Sequence, residues 1–194
     1  MIMTWIIILL GYLLGSIPTA YIASRLAKRR DIRQMGDGNV GAANAFRNLG
    51  ARTGIGVFLV DAGKGALAIF IAQVANLPQI AILLTGLATV IGHNWPVFLR
   101  FRGGKGFSTI IGVLGAVVTQ PVLILAIPTL TALFIKRDTA VAGYVMFISL
   151  PLVCWLMGVS GMLIAYGLAL PCLLGLTNFI RTRQAIRASE TEID

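Results

Sequence analysis

The chain has 194 residues, 57% of them hydrophobic and 12% charged, with a mean hydropathy of +0.88 and a net charge of +9 at pH 7. This composition excludes an ordinary soluble domain, because too few polar residues remain to cover a water-facing surface. We expect a single integral membrane domain over residues 1–194. The positive charge does not indicate a nucleic-acid partner, because Lys and Arg accumulate in the cytoplasmic loops of membrane proteins.

Seven apolar runs follow one another along the chain, at residues 4–24, 53–75, 79–99, 107–119, 121–135, 140–157 and 162–180. A helix needs about 20 apolar residues to cross a bilayer, so the pattern predicts an all-α polytopic transmembrane bundle of about seven helices. The fourth run is too short for a full crossing at about 1.5 Å of rise per residue. We expect it to be a short or half helix buried among its neighbours.

The basic residues predict the orientation of the bundle. Every Lys and Arg except Lys64 follows the first, third, fifth or seventh apolar run. Because cytoplasmic loops hold the excess of Lys and Arg, we expect the N-terminus outside and the C-terminus in the cytoplasm of a multi-pass protein of the cell inner (plasma) membrane. The basic loops would contact anionic membrane lipids. A signal peptide is the alternative for the first run, but no basic residue precedes that run and the basic cluster follows it.

The loop after the first run is rich in glycine. It contains Gly36-x-Gly38-x-x-Gly41, the formal fingerprint of a dinucleotide site, but a transmembrane segment rather than a strand precedes it, so we reject that interpretation. Glycines let backbone N–H groups approach an anion, and Arg47 would add a phosphate contact at the start of the next helix. The alternative, a flexible connector whose Arg47 meets lipid headgroups, stays open.

The loop after the third run ends in Gly103-Gly104-Lys105-Gly106, just before an apolar helix. Three residues without side chains around a flexible ammonium group predict an anion-binding turn, although the spacing is not that of a nucleotide-hydrolysing loop. His93, the single histidine, lies at the inner end of the third run. It is either a general base or a hydrogen-bonded structural residue, and the sequence does not decide between the two.

Asp61 and Lys64 lie three residues apart in the second run and therefore share a helix face. Charges at this depth are costly unless they are paired or face a polar cavity, so the two residues form either a structural clasp or one wall of a site. Thr177, Asn178 and Arg181, at the inner end of the seventh run, are weaker candidates.

The two cysteines, Cys154 and Cys172, lie inside apolar runs, where a thiol behaves as a small hydrophobic group. Together with a single histidine they provide no set of metal ligands, so we expect neither a metal nor a cofactor. The chemistry of the chain must therefore come from its polar loops and its charged pair.

Three of these stretches resemble motifs of the bacterial acyl-phosphate-dependent glycerol-3-phosphate acyltransferases, the PlsY family. Residues 36–47 are similar to G-S-G-N-I-G-A-T-N-x-x-R, residues 61–65 to D-x-x-K-G, and residues 92–106 to G-H-x-x-P-x-x-x-x-F-x-G-G-K-G. Residues 14–18 in the first run also match, so the resemblance covers most of the chain.

The resemblance implies a seven-helix enzyme of phospholipid biosynthesis, with its site facing the cytoplasm. It would move a fatty acyl group from acyl phosphate to the first hydroxyl of glycerol 3-phosphate and release lysophosphatidate and phosphate. An acyl phosphate is already activated, so positioning and charge stabilisation can supply most of the acceleration, and the departing phosphate can accept the proton. On this view Lys105 and its glycine turn hold one phosphate, and Arg47 with Asn39 and Asn44 holds the other.

The implied catalytic residues are Lys105, Arg47 and His93. The implied substrate-binding residues are Gly36, Asp37, Gly38, Asn39, Gly41, Asn44, Lys64, Gly103, Gly104 and Gly106.

The chain departs from the family pattern at several polar positions. Asp37 stands in place of serine, Ala43 in place of threonine, Ala140 and Gly143 in place of serines near the sixth run, and residues 182–185 in place of a His-Arg-x-Asn pattern. Asp37 should repel phosphate unless a basic side chain pairs with it. These losses motivate an alternative, a catalytically weak relative that serves as a structural subunit with protein partners in a membrane complex. A transporter with the charged pair along its pathway is a third possibility.

Overall fold

A computed structural model describes residues 1–190, with the side chains of residues 1–180, 182 and 183. The helices of this range are α1 Ile2–Ser16, α2 Thr19–Lys28, α3 Ala42–Leu49, α4 Ala51–Val74, α5 Gln79–Asn94, α6 Phe107–Val117, α7 Thr119–Lys136, α8 Thr139–Leu156 and α9 Gly161–Glu190, with 3₁₀ turns at Ile32–Gln34 and Val97–Leu99. Residues 1–190 contain no strand, which confirms the all-α prediction. The side chain of Arg181, a weak candidate by sequence, and residues 191–194 of the expected domain lie outside the described residues.

Six segments of residues 1–190 are long and apolar enough to cross a membrane: Ile2–Lys28, Ala51–Val74, Gln79–Leu99, Thr119–Lys136, Thr139–Leu156 and Gly161–Ile180. A further apolar helix, α6, has only 11 residues. At about 1.5 Å per residue it rises roughly 17 Å, too little to cross a hydrocarbon core of about 30 Å by itself. The predicted bundle of about seven helices, with a short fourth member, is confirmed.

The first apolar run consists of two helices rather than the one continuous span that the sequence predicted. Pro18 has no N–H to donate, so α1 ends at Ser16 and the chain begins a new helix at Thr19. The break leaves the Ile17 carbonyl outside both helices, where it accepts hydrogen bonds from the Thr19 N–H at 3.1 Å and from Lys64 Nζ at 3.0 Å. Through this carbonyl, the first apolar run contacts the charged pair on α4.

Helices α1 and α5 pack closely through glycines. A side chain at Gly15 would collide with the Thr89 carbonyl, and one at Gly92 would collide with the Tyr12 carbonyl. Small residues at such points let two membrane helices approach each other. The Tyr12 hydroxyl also donates to the Trp95 carbonyl at 2.9 Å, just beyond the end of α5. These contacts fix the place where α5 ends and the second glycine-rich loop begins.

The short helix α6 is enclosed by its neighbours. Its residues Ile110, Val113 and Leu114 are buried and belong to the main hydrophobic cluster, together with Ile69 of α4 and Leu150 of α8. A helix too short to cross the bilayer is stable at this depth because protein rather than lipid covers it. The packing of α6 therefore allows its first turn to begin inside the bundle.

Candidate active site

Residues of the two glycine-rich loops and of helices α3 to α9 line a cavity of about 790 Å³. Its polar lining includes Asp37, Asn39, Arg47, His93 and Lys105, which come from the two glycine-rich loops, from α3 and from the end of α5. The two loops are distant in sequence, yet both reach this one site.

The remaining walls are largely apolar and come from α4 and from α6 to α9. They include Phe58, Ile111, Val122, Ala126, Leu130, Leu133, Tyr144, Met146, Phe147, Ile148, Leu168, Pro171 and Leu174. Phe107 and Phe147 meet edge to face on this wall, with ring centroids 5.5 Å apart. The cavity thus extends from Arg47 and Lys105 to the apolar side chains of the bundle and suits a ligand with a charged head and an apolar tail.

Asn44 holds the first loop in shape from within. Its side chain is fully buried: Nδ2 donates to the carbonyls of Met35 and Asn39 at 2.9 and 3.0 Å, and Oδ1 accepts from Asn48 Nδ2 at 2.7 Å. Gly36, with a φ of +56°, packs so tightly against these two amides that a Cβ would overlap them. Asn44 and Gly36, expected to contact substrate, are therefore occupied in shaping the loop and do not line the cavity.

Arg47 lies on α3 and pairs with Asp37 at the rim of the cavity. Arg47 Nη2 is 2.6 Å from Asp37 Oδ2, and both side chains are about half exposed. The other carboxylate oxygen of Asp37 accepts the Asn39 N–H at 3.1 Å, and Gly38, with a φ of +67°, completes this turn without lining the cavity. The negative charge that replaces the family's serine is thus paired with a basic side chain.

Gly103 and Gly104 fold the second loop back onto the end of α5. Their N–H groups donate to the carbonyls of Asn94 and His93 at 3.2 and 3.0 Å. A Cβ at Gly104 would overlap the His93 ring, and one at Gly103 would overlap the His93 carbonyl. The two glycines are needed for this close approach, and their N–H groups bond within the protein instead of pointing at an anion. The loop presents Lys105 and the start of α6 to the cavity.

Three helix starts face the polar end of the cavity. Gly41 precedes α3, Gly106 precedes α6 with a φ of +93°, and Asp138 caps α8 by accepting the Ala140 N–H at 2.7 Å. The first residues of all three helices line the cavity. Helix N-termini carry a partial positive charge and N–H groups without helical partners. The starts of α3 and α6, together with the two basic side chains, make this end of the cavity favourable for anions, whereas the start of α8 already holds the Asp138 carboxylate.

The sequence did not predict that the start of α8 belongs to the site. It drew attention to Ala140 and Gly143 only as positions where family serines are missing, and both residues line the cavity. An available signal was Asp138 followed by Thr139 before an apolar run, which is typical of a helix N-cap. Two polar lining residues, Ser108 of α6 and Thr129 of α7, were also missed because small hydroxyl residues do not interrupt an apolar run.

Helix α9 contributes the last wall. Asn178 lines the cavity, whereas its neighbour Thr177 is buried and accepts a hydrogen bond from Asn94 Nδ2 at 3.0 Å. Cys172 also lines the cavity, and Cys154 is buried in the main hydrophobic cluster. Of the two weak candidates whose side chains are described, only Asn178 is placed to contact a ligand.

Asp61 connects the break between α1 and α2 with the end of α5. Its Oδ1 accepts from the Thr19 hydroxyl at 2.9 Å, is 2.9 Å from Lys64 Nζ and is 3.7 Å from His93 Nδ1. Lys64 is buried and also donates to the Ile17 carbonyl, and it does not line the cavity. Asp61 and His93 do line it. The charged pair is therefore a clasp between helices, and its carboxylate also forms part of the cavity wall.

Fold and site together define a polytopic helical membrane protein whose cavity suits a ligand that is anionic at one end and apolar at the other. A family model described as glycerol-3-phosphate acyltransferase matches residues 5–189. Glycerol-3-phosphate acyltransferase 4 of Dehalococcoides mccartyi is 47% identical over 182 residues, which cover 94% of this chain and 98% of that relative. Glycerol-3-phosphate acyltransferase 1 of Moorella thermoacetica is 35% identical over 181 residues, covering 89% and 90%.

Solved structures agree with these relatives. The crystal structure of PlsY, an integral membrane glycerol 3-phosphate acyltransferase, in its glycerol 3-phosphate form matches with a TM-score of 0.79 and 32% identity, over 97% of this chain and 92% of that one. Its lysophosphatidic acid form matches with a TM-score of 0.77. The chain belongs to the glycerol-3-phosphate acyltransferase family and is a multi-pass membrane acyltransferase, which confirms the resemblance drawn from its motifs.

Proposed function

We propose that the chain moves a fatty acyl group from acyl phosphate to the first hydroxyl of glycerol 3-phosphate. The glycerol oxygen attacks the acyl carbonyl carbon, the bond from that carbon to the phosphate oxygen breaks, and the hydroxyl proton leaves with inorganic phosphate. The products are lysophosphatidate and phosphate. The observation that carries this proposal is the cavity, which joins a basic end to an apolar wall. Both substrates carry phosphate, and one of them also carries a long apolar chain.

The lining suggests a division of roles. Lys105 and the start of α6 hold one phosphate, and Arg47 with Asn39 and the start of α3 holds the other. Both helix starts offer N–H groups and a positive dipole end where charge develops on the departing phosphate. Because the leaving group is already good and takes up the proton, the reaction depends mainly on positioning and charge stabilisation.

The proposed orientation places the open, polar end of the cavity at the cytoplasmic face of the cell inner membrane, with the N-terminus outside. The support is the distribution of Lys and Arg, of which all but Lys64 follow the first, third, fifth or seventh apolar run. Glycerol 3-phosphate is soluble in water and would enter from this side, while the acyl chain would remain among the apolar helices.

The alternative of a catalytically weak structural subunit is not favoured. Relatives named as acyltransferases match nearly the full length of the chain. The replaced polar positions also have a physical account: Asp37 is neutralised by Arg47, and Thr139 at the start of α8 supplies a hydroxyl residue to the cavity lining next to Ala140.

The proposal is tested by supplying the purified protein with acyl phosphate and glycerol 3-phosphate and following lysophosphatidate by mass spectrometry. We expect product well above a protein-free control. Lys105→Ala should lower kcat about 100-fold or more, because it removes a preorganised charge from the site. Cys154→Ala, a buried position that does not line the cavity, should retain activity. An inactive wild-type protein would refute the enzymatic proposal.

A further inference from the structure

Asp61 makes more contacts than a simple counter-ion for Lys64 requires. One of its oxygens, Oδ1, faces Lys64 Nζ and the Thr19 hydroxyl at 2.9 Å each, and His93 Nδ1 at 3.7 Å. These groups come from α4, α2 and α5. A single buried carboxylate therefore joins three helices, and one of them ends at the loop that carries Lys105.

His93 lies between this carboxylate and the glycine turn. Its Nδ1 faces Asp61, while its Nε2 packs against Gly104 so closely that a Cβ at that position would overlap it. The His93 carbonyl also accepts the Gly104 N–H at 3.0 Å. Both the ring and the backbone of His93 thus contact the residue that directly precedes Lys105. A ring that turned away would remove the surface against which the turn packs.

Burial makes this arrangement specific. Asp61 is 1% exposed and His93 is 7% exposed, so little water is present to screen or replace their interaction. The second oxygen of Asp61, Oδ2, is buried and has no hydrogen-bond partner among the described residues. The orientation of the carboxylate is therefore set by the two 2.9 Å contacts at Oδ1, and in this orientation Oδ1 lies 3.7 Å from His93 Nδ1.

We infer that Asp61 is a positioning residue for acyl transfer: it fixes the His93 ring, and the ring holds the turn of residues 103–106 so that Lys105 stays directed at the cavity. The inference rests on the proposed function, because the placement of Lys105 matters only if that side chain contacts a phosphate. It assigns the buried charged pair two separate tasks. Lys64 and Asp61 clasp the helices, and Asp61 alone acts on the site.

The two tasks are separable by the double substitution Asp61→Asn with Lys64→Met. It removes both charges together, so no buried ammonium is left unpaired. Leu59→Ala, a 61% exposed position on the same helix, is the matched control. We expect the double variant to remain folded in detergent, with an unfolding temperature close to that of the wild type. Its kcat, measured on the monodisperse fraction, should fall at least about tenfold, since a small misplacement of a catalytic group is costly.

A double-mutant cycle with His93→Asn tests the path from Asp61 to the turn. If Asp61 acts through His93, adding His93→Asn to the double variant should lower kcat little further, whereas independent effects would multiply. A wild-type kcat in the folded double variant, or multiplying effects, would overturn the inference. An inactive wild type would instead contradict the proposed function, so the two failures are distinguishable.

Thr19→Val supplies a second measurement if the double variant does not fold. It removes the hydroxyl that donates to Asp61 and leaves both charges paired. We expect kcat to fall several-fold without loss of folded protein, and we expect this effect to disappear in a His93→Asn background. An unchanged kcat in folded Thr19→Val would count against the positioning of His93 by Asp61.

Discussion

Two aspartates of the cavity lining are each paired with a basic residue, one pair at the exposed rim of the cavity and the other in the interior of the helix bundle. At the rim, Arg47 and Asp37 are 2.6 Å apart and their side chains are 55% and 45% exposed. In the interior, Lys64 and Asp61 are 2.9 Å apart and their side chains are 6% and 1% exposed. The separations are similar, so the difference between the two pairs lies in how much water surrounds them.

That difference decides what each pair can do. An exposed pair is screened by solvent and contributes about 0–1 kcal/mol, so a phosphate can replace the carboxylate as the partner of Arg47. A buried pair is different, because removing one partner leaves a desolvated charge and costs roughly 3–5 kcal/mol. Arg47 can therefore exchange its carboxylate partner for a phosphate, whereas Lys64 and Asp61 remain paired with each other.

The largest effect is expected when the interior pair is broken on one side. Asp61→Asn alone leaves the buried Lys64 without its counter-charge and should lower the unfolding temperature in detergent by about 10 °C or more. Adding Lys64→Met should restore most of that loss. Thermal unfolding followed by intrinsic fluorescence measures both. Equal unfolding temperatures in the single and double variants would show that buried Lys64 does not need the charge of Asp61.

A smaller and opposite effect is expected at the rim. Asp37→Asn keeps an oxygen that can accept the Asn39 N–H but removes the charge that competes for Arg47. The KM for the phosphate substrate that Arg47 holds should fall about two- to fivefold with kcat unchanged, in line with the strength of an exposed pair. Initial rates with each substrate varied in turn measure this effect.

Asp31→Asn, the same substitution outside the cavity lining, should leave both KM values unchanged and is the control for Asp37→Asn. A KM that rises in Asp37→Asn would mean that Asp37 orients Arg47 for its substrate rather than competing with that substrate.

The sequence predicted much of the fold, because the length of an apolar run and the position of charges belong to the chain itself. The short helix α6 followed from the length of its run before Pro121. The break before Thr19 was missed, because apolar residues on both sides of Pro18 resembled one continuous span. The proline was the available signal, since it cannot donate the hydrogen bond that a continuous helix requires.

The candidate site was predicted less completely, because several roles depend on which elements approach each other. Lys105 and Arg47 line one cavity, as their charges had indicated. Gly103, Gly104 and Asn44 were expected to bind an anion because each was considered without its neighbours in the fold. Their hydrogen bonds go to neighbouring backbone and side-chain groups instead. Local spacing does not contain that information, because the partners are chosen by tertiary packing.

A third ion pair has intermediate exposure, and the smallest of the expected effects is at this pair. Arg33 and Asp31 are 2.7 Å apart with side chains 34% and 13% exposed, and the hydrogen bond from Arg33 lowers the pKa of the Asp31 carboxyl below its ordinary value of 3.8. A lowered carboxyl pKa adds stability at pH values above the ordinary pKa, and this stability is lost as the pH falls through the lowered pKa. Asp31→Asn keeps an oxygen that can cap the Arg33 N–H, and it removes the charge together with one of the two oxygens that accept from the Arg33 guanidinium.

At pH 7 we expect Asp31→Asn to lower the unfolding temperature by about 1–2 °C, as the loss of a partly exposed pair worth roughly 0.5 kcal/mol would. The difference from the wild type should shrink as the pH falls below the ordinary value of 3.8 and vanish once the pH lies below the lowered pKa, where the wild-type carboxyl is neutral as well. Thermal unfolding in detergent across this pH range measures it. If the difference stays constant with pH, the stability comes from the cap or from packing and not from the charge. The contributions of the three ion pairs to stability would then no longer increase with their burial.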